Sequence, residues 1–137
     1  MHRQLLLFST LSVCGVLLGQ TSPQVKKTAV TATSPASGRE MYDNYCASCH
    51  GKNGKGDGPA APALKKAPTD LTTLAAHNGG KFPDIVVARL IEGSDDLPAH
   101  GSREMPIWGQ VFHQMDASTT KLRVANLTGY LQSMQGK

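Results

Sequence analysis

Cys46-Ala47-Ser48-Cys49-His50 is a C-x-x-C-H run, the attachment signature of a c-type haem, and the fold is read outward from it. The spacing has a chemical reason. Two thiols three positions apart each add across one vinyl group of a single haem. The histidine that follows is carried under the porphyrin plane, where its imidazole reaches the iron. Cys46 and Cys49 are then covalent anchors, and His50 is the proximal metal ligand.

Three other chemistries compete for the same five residues. A thioredoxin-like redox pair sits at the end of a strand in a βαβ pattern, and no apolar β-rich run precedes Cys46. A structural zinc site needs four ligands, whereas the third cysteine, Cys14, lies in a segment expected to be removed. A disulfide between Cys46 and Cys49 closes a very small loop and contributes little. Haem is the preferred reading.

The N-terminus sets the compartment. Met1-His2-Arg3 is a short charged region, and Leu5 to Leu18 is an apolar run broken by Ser9, Thr10, Ser12, Cys14 and Gly15. It falls short of the ~20 residues needed to span a bilayer and has the length of a signal-peptide core. Residues 1–19 are therefore expected to be a signal peptide, cleaved after Gly19, which places the protein in the periplasm or outside the cell. Leu11-Ser12-Val13-Cys14 resembles a lipobox, but Val13 is too large and the run after Cys14 stays apolar, so an ordinary cysteine in the leader is preferred. Residues 20–36, rich in Thr, Ser, Ala, Pro and Lys, have the composition of a flexible linker or membrane tether. Residues 37–137 form one small domain. A hydrophobic core alone is modest at that size, and a covalently held haem would supply much of it.

Three main helices are expected and the class is all-α, because no segment alternates with period two. The first starts at Ser37, with Glu40 completing a capping box, and delivers Cys46 through Met41, Tyr42 and Tyr45. The second runs from about Pro83 to Glu92, with Ile85, Val86, Arg89 and Leu90 as its apolar face and Gly93 as its stop. The third begins near Ser118 and carries Leu122, Val124, Ala125, Leu127, Tyr130, Leu131 and Met134. The glycine-rich stretch Gly51 to Pro59 lacks the Walker spacing and a preceding strand, so nucleotide binding is rejected in favour of a tight turn beside the haem. Asn126-Leu127-Thr128, formally a glycosylation triplet, falls inside the last helix and is given no role.

A second axial ligand is sought among Met41, Met105, Met115, Met134, His77, His100 and His113. Met41 and Met134 lie within helices, where methionine usually fills core. Met105 lies in a non-helical stretch, and Pro106 after it stiffens the loop that would hold a weak thioether ligand, so Met105 is the preferred second metal ligand.

With these residues in view, the chain resembles a bacterial class I cytochrome c, the small monohaem all-α fold, from Ser37 to about Met134. The resemblance rests on Cys46 to His50, on Cys-His-Gly-x-x-Gly-x-Gly-Asp-Gly at Cys49 to Gly58, and on Met-Pro-x-Trp-Gly at Met105 to Gly109. It implies one haem c, held through Cys46 and Cys49 and ligated by His50 and Met105. It also implies that the Pro62 carbonyl accepts the His50 ring N–H, that Leu64 packs on the porphyrin, and that Trp108 donates to a haem propionate. Gly38 and Tyr42 match the place where the first helix crosses the last beside Tyr130. Pro68-Thr69-Asp70-Leu71-Thr72 matches too, with a helix N-cap at Thr69 or Asp70 as its one assignable role.

Both axial positions filled leave the iron no site for substrate, so the expected function is one-electron transfer between redox proteins, not catalysis. The 14 Lys and Arg against 10 Asp and Glu give +4, or +3 once Arg3 leaves with the leader. Lys52, Lys55, Lys65 and Lys66 form either a positive rim that steers an acidic partner or an ordinary solvated face. Partners are expected to dock transiently to a monomer, with no nucleic acid. The alternatives are an electron-transfer subunit of a periplasmic dehydrogenase or oxidase, and a haem sensor with a labile Met105. A peroxidase is disfavoured because the chain has no second haem motif, and His100 and Arg103 are read as surface or propionate contacts.

Overall fold

Ser37 starts the first helix as its sequence requires. In the computed structural model, which describes residues 30–94 and 105–136, the Ser37 hydroxyl accepts the Glu40 N–H at 3.2 Å. The reciprocal half of the box is displaced by three residues. The Glu40 carboxylate accepts the N–H of Ser34, while Ser37 N–H donates to the Ser34 carbonyl. Helix α1 (residues 38–50) then proceeds as an α turn Gly38–Met41, a π turn Tyr42–Cys46 and an α turn Ala47–His50, and stops at Gly51. It was expected to end at Cys46. It instead carries the whole C-x-x-C-H run in helical form, with the wide π turn ending on Cys46 itself; π turns are frequent at functional sites.

A 3₁₀ turn, Leu71–Thr73, leads into the short α2 (Leu74–His77), and the Asp70 carboxylate caps it by accepting the Thr72 N–H and hydroxyl at 2.8 and 2.6 Å. Helix α3 (Asp84–Glu92) begins after Pro83 and ends at Gly93, whose φ of 75° is the left-handed cap glycine supplies without strain. Its apolar face differs from the expected one. Val87 and Ile91, four apart, are buried, while Ile85 and Val86 are exposed. Val87 and Ile91 join the core on the side where α3 packs with the aromatic helix that follows it and with the last helix.

Helix α4 (Trp108–Met115) was not expected. Its signal was present: Trp108, Val111, Phe112 and Met115 are spaced i, i+3, i+4, i+7, and Trp108 and Phe112 are buried. The preceding Met-Pro and internal Gly109 had suggested loop. A second carboxylate cap, Asp116 on Ser118, leads through the 3₁₀ turn Ala117–Thr119 into α5 (Thr120–Ser133). The described residues thus hold five helices and no strand, an all-α architecture. None of these helices is long and apolar enough to cross a membrane.

The core sits where α1, α3 and α4 meet α5, with Val87 and Ile91 of α3 among its buried side chains. At Gly38 a Cβ would collide with the Asn126 carbonyl and lie 2.8 Å from the Tyr130 Cβ, so only glycine permits this approach. Tyr42 then packs on Tyr130 with ring centroids 5.4 Å apart. The end of the stretch assigned to a linker is docked as well. Thr33 is buried, bonded to the Tyr45 hydroxyl and to Arg123, and the Asn126 amide donates to the Pro35 carbonyl at 2.9 Å. Residues 31–36 belong to the domain. The expected signal peptide with Cys14, the first ten linker residues, and the candidates His100 and Arg103 lie outside the described residues.

Candidate functional site

The last turns of α1 place Cys46 and Cys49 three residues apart on one side of the helix. Both are free thiols and half-buried. Burial, and secondarily the neighbouring Cys49, push the Cys46 thiol up to about 12, so it stays a neutral S–H and not an exposed thiolate. Among the described residues no three His, Cys, Asp or Glu side chains gather as a zinc site requires.

The His50 ring is oriented by a backbone carbonyl. Its Nδ1 lies 3.1 Å from Thr69 O. Only a donor can face a carbonyl oxygen, so Nδ1 carries the proton and Nε2 keeps its lone pair for a metal. Burial lowers the His50 pKa, and the bond to Thr69 offsets this in part, so the ring is held in the neutral form that ligates. The sequence had pointed to Pro62 for this bond. Pro62 instead lies exposed on the 3₁₀ turn Ala61–Ala63, and Leu64 follows it, half-buried and extended. Thr69 takes the role because the intervening loop folds back on the end of α1. Gly56 N–H donates to His50 O, Gly58 N–H to Cys49 O, Ala60 N–H to Ser48 O and Leu71 N–H to Gly54 O. Gly56, at φ 80°, has the Pro68 carbonyl where a Cβ would stand, so the loop presses Pro68-Thr69 against the turn after His50.

On the other side of the helix, Tyr45 stacks on Trp108 with centroids 5.2 Å apart, and Phe112 completes the aromatic cluster. Trp108 opens α4, three residues after Met105. Of the methionine candidates, Met41 and Met134 are core, and Met115 is half-buried near the Tyr45 hydroxyl. Met105 is 45% exposed in the extended approach to α4, as is Ile107. His77 and His113 are exposed on α2 and α4. A paired thiol face, a neutral imidazole with one nitrogen free, and bare apolar side chains before α4 fit a covalently held haem.

The cytochrome c family model matches residues 35–135, nearly the whole of the described domain. The chain belongs to the cytochrome c family. No curated protein and no solved structure matched it. Membership in the cytochrome c family implies a covalent haem c and one-electron chemistry at its iron, and Cys46 and Cys49 are the residues available to hold it. The match begins two residues after Thr33, so the bonds from Thr33 to Tyr45 and Arg123 reach beyond the matched region. Two features of this cytochrome c escaped sequence reasoning. The Thr69 carbonyl is a backbone atom with no residue-type signature. Arg123 is buried, and no local pattern in the sequence marks a charged residue at that position as part of the core.

Proposed function

We propose that this protein is a periplasmic one-electron carrier whose single haem c is held by Cys46 and Cys49 and ligated by His50 and Met105. The observation that carries this reading is the His50–Thr69 bond, which fixes the ring as the Nδ1–H tautomer and aims a basic Nε2 away from the protein backbone. His50 binds the iron from one side, and Met105, tethered by Pro106, reaches it from the other. Leu64 packs on the ring, and Trp108, held by its stack on Tyr45, offers its indole N–H to a propionate. The thioether ligand favours the reduced iron and raises the potential above that of a bis-histidine haem. Partners are redox proteins that dock transiently on a monomer. A leader at residues 1–19 delivers the chain to the compartment where the thioethers form.

Optical spectra of the exported protein, oxidised and reduced, with and without carbon monoxide, test this. A c-type reduced α band with the weak far-red band of Met–Fe ligation is expected, with poor carbon monoxide binding. Met105→Ala removes the far-red band and opens the iron to carbon monoxide. A wild-type protein that lacks that band and binds carbon monoxide readily is the sensor with a labile ligand, and protein without haem overturns the proposal.

A further inference from the structure

A cavity of about 310 Å³ opens between the loop that follows His50 and the end of α5, on walls that the haem assignment does not use. Its lining is Lys52, Asn53, Lys55, Tyr130, Ser133 and Met134. Two of the six are ammonium groups and none is a carboxylate. Among the described residues, neither lysine has a carboxylate within 4.0 Å, and the Asn53 amide and Tyr130 hydroxyl have no hydrogen-bond partner. The Ser133 hydroxyl is committed, donating to the Tyr130 carbonyl at 2.7 Å. Asp70, whose carboxyl Lys55 helps to hold low, is itself engaged as the cap on Thr72.

The backbone beneath the walls is fixed, while the Lys52, Asn53 and Lys55 side chains are exposed. The loop that carries both lysines is pinned by Gly54 N–H on Gly51 O, Gly56 N–H on His50 O and Leu71 N–H on Gly54 O. Met134 is buried with its methyl 2.8 Å from where a Gly54 Cβ would stand, and the Tyr130 ring is fixed by its packing on Tyr42. Two like charges are thus held on one short loop beside an amide and a phenol, and an anion seated between them relieves their repulsion and takes four donors. The volume lies at the small end of small-molecule sites.

We propose that this cavity is a binding site for a phosphate-class oxyanion, with Lys52 and Lys55 supplying charge and Asn53 and Tyr130 supplying neutral donors. It stands independently of the axial-ligand assignment.

The test is calorimetric titration of the full-length exported protein with pyrophosphate at low ionic strength. A parallel arm measures flotation with vesicles of phosphatidylglycerol, against phosphatidylcholine as control. One saturable site is expected, at least tenfold weaker in Lys52→Gln/Lys55→Gln and weakened in Tyr130→Phe, which keeps the ring stack. Lys66→Gln/Lys121→Gln, which removes the same charge away from the cavity, leaves it unchanged. Vesicle binding without pyrophosphate binding, lost in Lys52→Gln/Lys55→Gln only, assigns the phosphate to a lipid headgroup. Absence of binding in both arms, or an equal loss in the Lys66→Gln/Lys121→Gln protein, overturns the proposal.

Discussion

His50 stays neutral because burial disfavours its charged form, and its tautomer is set because Thr69 offers an acceptor to Nδ1. The second effect rests on a half-buried carboxylate one residue along. Asp70 accepts two bonds from Thr72, and those bonds hold the turn that presents the Thr69 carbonyl. Asp70→Ala is expected to speed hydrogen exchange at the His50 Nδ1–H, read by NMR of the reduced protein, and to lower Tm. Pro62→Gly should leave that proton as protected as before; the reverse pattern would return the role to Pro62. The same caps govern the acid limb of stability. Their bonds to Thr72 and Ser118 hold the Asp70 and Asp116 carboxyls below the ordinary range. Groups with depressed folded values contribute stability above the unfolded pKa, roughly 4, and lose it as pH falls through the folded value. Asp70→Ala/Asp116→Ala should therefore lose stability at neutral pH and show a shallower fall in Tm between pH 5 and pH 2, and an unchanged slope would remove both caps from the linkage.

Elements whose residues carry a local reason were legible in the sequence. Ser37 with Glu40 marked the start of α1 and Gly93 the end of α3. Of the seven apolar residues named for α5, Val124, Leu127, Leu131 and Met134 are buried, Tyr130 is half-buried, and Leu122 and Ala125 are exposed. What could not be read was set by tertiary contact. Met105-Pro106 and Gly109 argue against helix one residue at a time, yet α4 forms because Trp108 and Phe112 bury themselves against Tyr45. Ile85 and Val86 are apolar yet exposed, and which apolar residues of α3 turn inward is decided by its packing in the fold. The crossing of α1 and α5 is the element most open to test. Gly38→Ala gains about 1 kcal/mol in helix propensity, but the new Cβ must displace the Asn126 carbonyl and the root of Tyr130. Backbone has little room to yield, and overpacking of this kind costs about 1–3 kcal/mol. Packing should win, with Tm falling on thermal unfolding; a rise would show that the helices can part at that point at no cost.

At the scale of the whole molecule, the segment just before α1 closes the fold through a buried cation. Arg123 is 6% exposed and, among the described residues, has no carboxylate partner. Its guanidinium donates to the Thr33 hydroxyl at 3.1 Å and the Thr33 carbonyl at 3.0 Å, and lies 5.8 Å from the Phe112 ring centroid. A buried charge satisfied mainly by one neighbour makes that neighbour part of the fold. Thr33 also bonds the hydroxyl of Tyr45, the residue stacked on Trp108 and one position before Cys46, so the docked segment reaches the cofactor side of the molecule. Deleting residues 30–34 from the haem-loaded protein strands two donors of a charged group and is expected to cost about 3–6 kcal/mol in denaturant unfolding, since hydrogen bonds to charged groups contribute about 1.5–3 kcal/mol each. Arg123→Met removes the charge while keeping an apolar side chain on Phe112. In that background the deletion should cost at least ~1 kcal/mol less, a coupling within the range found for directly bonded residues. Equal cost in both backgrounds would mean that residues 30–34 are held by the bonds of Tyr45 to Thr31 and Thr33, with Arg123 a bystander.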